Sequence, residues 1–165
     1  MRWPTRIAVP EESLPAAESA DAASRAISAL SDAECRALLE RQRMCTIAVV
    51  DGVEPYAVPV FYGFDGQDLY LGVAEGRKTR ALDANPRVYI VVTEVGPANA
   101  WRSVAIAGYA RTLIDSDARQ RAIDVLVDHN RRFKAPDAPA APRRVGGGRL
   151  LRVEESVMTG RSFGW

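Results

Sequence analysis

Metal-binding chemistry has few side chains to draw on in this chain. His129 is the only histidine, and Cys35 and Cys45 are the only cysteines, with no CxxC spacing between them. A multi-histidine metal site is excluded, and neither a zinc centre nor a disulfide framework is indicated. Cysteine usage of this kind fits a reducing, cytoplasmic compartment. No apolar run approaches the roughly 20 residues of a membrane-spanning helix, and the first residues lack the basic, apolar and small-residue order of a secretory signal. An excess of one charge is missing too. With 22 Lys and Arg against 21 Asp and Glu the formal charge is +1, so no global field draws the chain to nucleic acid or to a membrane surface. Anion recognition must then be local, which favours a small phosphorylated ligand over a polymer.

What is present suits one domain. Apolar residues are 47% and charged residues 26% of 165, an ordinary globular balance with enough chain to bury a core. Residues 1–28 are rich in Ala, Ser, Glu and Pro and read as an arm, with residues 29–165 as the domain. Ser31 and Glu34 have capping-box spacing ahead of a helix over 32–42. Strands are expected over 46–50, 56–64, 69–73, 88–95, 103–114 and 150–157, with hairpin turns at Asp51-Gly52 and Asp65-Gly66. Pro59, which has no N–H for a ladder, places its strand at an edge or an irregularity. A helix over 76–85 stops at Asn85-Pro86. A further helix starts at Asp115 or Ser116 and carries Ile123, Leu126 and Val127 at helical spacing. Residues 134–148 read as a loop and 158–165 as a tail. Six strands with a few short helices predict a small, mostly antiparallel barrel.

One junction carries a chemical signal. The strand over 69–73 stops at Ala74-Glu75-Gly76 and opens into Arg77-Lys78 at a helix start. Backbone N–H groups at a helix start lack partners, and two adjacent cations add charge-assisted donors. Basic residues sit poorly there unless an anion offsets the helix dipole, so a bound phosphate is the reading preferred over a solvated basic turn. Arg80, one turn on, reads as a surface residue. Gly72 removes a side chain within its strand, which permits close approach of a ligand. Tyr56, Phe61 and Tyr62 read as packing residues, and Cys45 as a small buried residue. His129 reads as a solvated histidine on the polar side of its helix.

The segments LLERQRMCTIAVVDG, PYAVPVFYGFDG, LYLGVAEGRKTRALDANPRV and WRSVAIAGYARTL, in this order over about residues 31–130, give the chain a further identity. It resembles the pyridoxamine 5′-phosphate oxidase-like, FMN-binding split-barrel superfamily, in the branch that includes nitroimidazole-resistance proteins. The resemblance implies a six-stranded split barrel with peripheral helices, assembled as a homodimer with FMN sites at the interface. It assigns Arg77 and Lys78 to the flavin phosphate. Val58, Pro59 and Val60 go to the strand edging the isoalloxazine ring, and Gly72, Val73 and Ala74 to the ribityl chain. Ser103 and Trp101 match a segment that reaches the cofactor from across the dimer; Trp101 reads equally well as a plug for a barrel end.

Departures from the family pattern limit the reaction. The strand that carries a basic substrate residue in pyridoxamine phosphate oxidases begins Pro55-Tyr56-Ala57 here. The tail GRSFGW keeps only Arg161 and Trp165 of a substrate set, so oxidation of vitamin B6 is not expected. Gly72 stands where many nitroimidazole-resistance-like members have histidine. The expected activity is electron transfer from a reduced nicotinamide, through FMN, to a small acceptor, with no catalytic side chain assigned. Two alternatives stand beside it: an F420-dependent reductase on the same barrel, and a non-catalytic carrier or sensor of flavin or haem. A flavin needs an apolar slot and a few polar groups to orient it, and residues 58–60 supply the first.

Overall fold

In the computed structural model, which describes residues 27–133 and 148–165, the expected strands curl into a closed antiparallel barrel. Chain order is β1 (Ser28–Leu30), α1 (Asp32–Arg41), β2 (Met44–Asp51), β3 (Glu54–Phe64), β4 (Leu69–Val73), α2 (Arg77–Ala84), β5 (Arg87–Val95), β6 (Trp101–Thr112), α3 (Ser116–Arg131) and β7 (Arg149–Phe163). Neighbours run β7-β4-β3-β2-β5-β6, and β6 closes onto β7. The six-strand expectation holds, with β1 as an additional short strand against β7. The expected arm lies, up to residue 26, outside the described residues, as does the expected loop over 134–148 up to residue 147. Among the described residues no helix is long and apolar enough to cross a membrane.

The alternation of each strand decides which side faces in. Ile47, Val49, Leu71, Ile90, Val92, Val104, Ile106, Leu151 and Val153 fill the interior, as period-two side-chain geometry requires. Helix α1 closes one end with Leu38 and Leu39, both fully buried. Its start is fixed by the capping box: the Ser31 N–H donates to the Glu34 carboxylate at 2.8 Å and the Glu34 N–H to the Ser31 hydroxyl at 3.4 Å. Tyr62 donates its hydroxyl to the Leu39 carbonyl at 2.8 Å, tying β3 to the same end.

The barrel is split between β3 and β4. Only Tyr62, Gly63 and Phe64 pair with β4, opposite Leu71, Tyr70 and Leu69. Residues 54–61 of β3 pair with β2 alone, so Pro59 stands on a one-sided strand, where its missing N–H costs no ladder bond. Helix α3 covers the outer side of the short paired stretch. It approaches so closely that a Cβ on Gly63 would lie 2.9 Å from the Leu126 Cα and backbone nitrogen. Asn130 fastens it, its side-chain N–H donating to the carbonyls of Tyr62 and Leu126, each at 2.9 Å.

Two expectations are corrected here. The tail begins only after Phe163, because β7 continues past residue 157 and pairs with β6 as far as Trp101↔Phe163. His129 is 2% exposed rather than solvated. It lies between Tyr62 and Phe133, with ring centroids at 5.2 and 5.7 Å, and its Nε2 is 2.7 Å from the Gln42 carbonyl. Loss of hydration pushes its pKa below the ordinary histidine value.

Candidate functional site

The helix that follows the split differs from the others at its start. Ser31 caps α1, with Asp32 and Glu34 in the first turn; Asp115 caps α3, with Asp117 in its first turn. At α2 the cap residue is Gly76, no side chain caps the turn and no acidic residue lies in it. Thr79, fully buried, accepts the Gly76 N–H at 2.9 Å and donates to the Gly76 carbonyl at 3.0 Å, which shapes the entry but leaves the first-turn donors uncapped. Arg77 and Lys78 stand at this start. Uncapped N–H groups, the positive end of a helix and two cations are the elements that an anion seat requires.

The neighbouring segments come from both sides of the split. Carried two and three residues past the last pair, Tyr62↔Leu71, the register sets Val60 opposite Val73 and Pro59 opposite Ala74, but the strands have parted there. Val58 and Val60 turn toward the core, and Pro59 turns outward. The unpaired edge of β3 and the end of β4 thus flank one open seam, with Arg77 and Lys78 following directly on β4. Gly72 lies on the side facing α3, where a Cβ would meet the Leu126 side chain at 3.7 Å.

Trp101 and Ser103 are not part of this assembly within one chain. Arg77 reaches Asp51, at the C-terminal end of β2. Ser103 pairs with Thr93, two residues beyond the Val91↔Thr46 pair, toward the N-terminal end of β2. Trp101 is half-buried and stacks on Phe163 at 6.3 Å between ring centroids. One copy of the chain therefore brings together Val58, Pro59, Val60, Val73, Ala74, Arg77 and Lys78, and leaves Trp101 and Ser103 at the other end of the sheet.

Sequence reading missed the carboxylates around the seat. The Arg77 Nε–H donates to Asp51 at 2.6 Å and an Nη2–H to Glu54 at 2.9 Å, while the guanidinium lies over the Tyr56 ring at 4.7 Å. These bonds raise the Arg77 pKa. Lys78 is held more lightly, donating to the Ala74 carbonyl at 3.4 Å. The signal was present in the order Asp51-Gly52-Val53-Glu54, a tight turn flanked by two like charges that call for a cation.

Arg149 is the second omission. At the start of β7 it donates to both oxygens of Glu75, at 3.2 and 3.1 Å, and to both oxygens of Asp83. It thereby ties the residue before Gly76 to the far end of α2. These hydrogen bonds hold the Glu75 and Asp83 carboxyls below the ordinary carboxylate range. The sign follows from linkage: a lowered folded-state pKa contributes stability above the unfolded value, near 4, and that contribution is lost as pH falls through the lowered values. Arg149→Gln is expected to lower the urea midpoint near pH 7 and to shrink the drop between about pH 7 and about pH 3, measured by far-ultraviolet circular dichroism.

Two grooves lie elsewhere. One of about 510 Å³ runs beside α3 between Asp65 and Arg132, away from the α2 start. One of about 380 Å³ lies on the outer face of the sheet, lined by Pro55, Arg87, Tyr89, Gly108 and Tyr109 among others. Among the described residues no group of three or more His, Cys, Asp or Glu could hold a metal ion.

Comparison with known proteins gives this geometry its context. A family model described as pyridoxamine 5′-phosphate oxidase matches residues 31–162. The structure of a FAD-binding protein from Mesorhizobium loti is 28% identical with a TM-score of 0.66, covering 84% of this chain and 98% of that one. A candidate 5-nitroimidazole antibiotic resistance protein from Bacteroides thetaiotaomicron has the same fold, with a TM-score of 0.70 at 19% identity over 84% of this chain and 88% of that one. An uncharacterized protein of Rhizobium meliloti (strain 1021) is 28% identical over 79 residues, 48% of this chain; the chain spans about half, 52%, of that relative's length.

Proposed function

The chain belongs to the pyridoxamine 5′-phosphate oxidase family, and on that premise we propose that it is a homodimeric FMN-binding oxidoreductase of the cytoplasm. The observation that carries the cofactor reading is the α2 start: Arg77 and Lys78 at a helix start that no side chain caps, beside the open seam between residues 58–60 and 73–74. FMN, when bound, supplies the redox chemistry. The protein's part is to seat the phosphate on Arg77, Lys78 and the first-turn N–H groups, and to edge the ring with the unpaired backbone of β3. Residues Val73 and Ala74 accompany the ribityl chain. The FAD-binding relative supports a flavin in general, and the short anion seat favours the single phosphate of FMN.

The outer face of the sheet supports the dimer. Two cross-strand rows, Pro59-Thr46-Val91-Ala105 and Ala57-Ala48-Tyr89-Ala107, contain no charge and mostly small side chains. Tyr89 in the second row and Met44, Val50 and Phe61 around the rows are 44–53% exposed. A continuous apolar surface of this kind marks a protein–protein contact. A partner copy on this face is also the source of Trp101 and Ser103 for the site, which one chain leaves apart from Arg77.

The electron donor is a reduced nicotinamide and the acceptor a small molecule. Oxidation of pyridoxamine phosphate is not part of the proposal, because Arg161 bonds its own Gly160 carbonyl and Trp165 lies over Arg102 at 4.1 Å. Anaerobic titration of the FMN-loaded protein with NADH and NADPH tests the activity. Bleaching of the flavin is expected with at least one of them. Tight FMN binding without bleaching by either leaves a carrier instead, and preferential binding of F420 over FMN replaces the cofactor.

A further inference from the structure

Asp51 and Glu54 stand directly opposite each other across a two-residue turn, Gly52-Val53, whose Gly52 has φ +66°. Like charges in register repel, and Arg77 relieves them by bonding both carboxylates at once. The formal charges of Arg77, Lys78, Asp51 and Glu54 cancel. A phosphate dianion approaching the α2 start therefore meets a guanidinium already neutralised by two carboxylates on a tight hairpin turn. The carboxylate side chains are 39% and 72% exposed, so either can turn to water when Arg77 lets go.

Building on the flavin reading, we infer that Asp51 and Glu54 form a latch that sets the affinity of this seat. The hairpin holds Arg77 through both carboxylates, and a phosphate is gripped only as the guanidinium exchanges them for phosphate oxygens. The latch selects for a strongly charged terminal phosphate and against weaker anions, which cannot compete for the donors. Arg77 lies over the Tyr56 ring at 4.7 Å, a contact that exchanging carboxylates for phosphate oxygens does not itself break. The opposite role, carboxylates that hold Arg77 in its binding pose, has an opposite signature.

Asp51→Asn and Glu54→Gln keep the shape and hydrogen-bonding capacity but remove the charge. Calorimetric titration of each variant, and of the pair, with FMN, riboflavin and inorganic pyrophosphate decides between the roles. The latch requires FMN and pyrophosphate to bind roughly two- to fivefold more tightly per substitution at low salt. Riboflavin, which has no phosphate, should bind as it does to the parent, and the gain should shrink as salt is raised. Adding Arg77→Ala should abolish the gain. Unchanged or weaker FMN and pyrophosphate binding overturns the latch, as does a chain whose variants all ignore pyrophosphate. Pyrophosphate that follows the expected pattern while neither flavin binds refutes the flavin reading and leaves the latch standing.

Discussion

Alanine at both Arg77 and Lys78 lowers FMN affinity about a hundredfold or more, while riboflavin binding changes little. Hydrogen bonds to charged groups contribute about 1.5–3 kcal/mol each, so loss of two removes at least roughly 3 kcal/mol, or two decades in Kd. The low end is the appropriate one, since Arg77 gives up Asp51 and Glu54 when it takes a phosphate. Riboflavin separates a phosphate contact from general damage, because it presents the same ring without the anion. The double variant also leaves Asp51 facing Glu54 without a cation, so its melting temperature should be followed alongside. A variant that folds and binds FMN as the parent does removes Arg77 and Lys78 from the site.

Ala57→Asp is expected to turn the proposed dimer into monomers and to abolish the proposed FMN binding with it. Ala57 faces outward beside Ala48, at the β3 end of one of the small-residue rows, so a single chain tolerates the carboxylate in water. In a dimer the same carboxylate is buried without a partner, at a cost of roughly 3–5 kcal/mol, which is at least a hundredfold in the dimer constant. Sedimentation velocity reads the assembly, and fluorescence titration reads the flavin. A monomer that still binds FMN normally would show that Trp101 and Ser103 from a second copy are not needed. A variant that stays dimeric places the interface on another surface.

Much of this was legible in the sequence because strands advertise burial by alternation. Residues 44–51 and 87–95 switch sides residue by residue, and the Arg77-Lys78 junction stood out because cations are unusual at a helix start. The failures have physical causes. Residues 158–163 look like a tail because Gly160, Arg161 and Ser162 have little strand preference; the ladders to β6 and β1 hold them extended all the same. His129 was placed by its polarity, whereas its spacing from Ala122 and Leu126 puts it on the buried stripe of α3, and the Gln42 carbonyl satisfies one ring nitrogen. Val127, at helical spacing with Ile123 and Leu126, turns outward instead and is 42% exposed. Arg149 gives no signal because its partners are remote in sequence; the Asp51–Glu54 pair is legible as like charges across a turn, but its cation, Arg77, lies more than twenty residues away. Glu75 and Asp83 lie more than sixty residues from Arg149.

The central claim is that a dimer of this chain holds FMN through the α2 start. Sedimentation velocity of the purified protein with added FMN, followed by the flavin's visible absorbance, tests it in one experiment. The expected result is flavin that sediments as a dimer, with as many flavins as chains, in the parent and not in the Arg77→Ala, Lys78→Ala variant. Flavin that sediments as free ligand in the presence of folded parent protein would contradict the account.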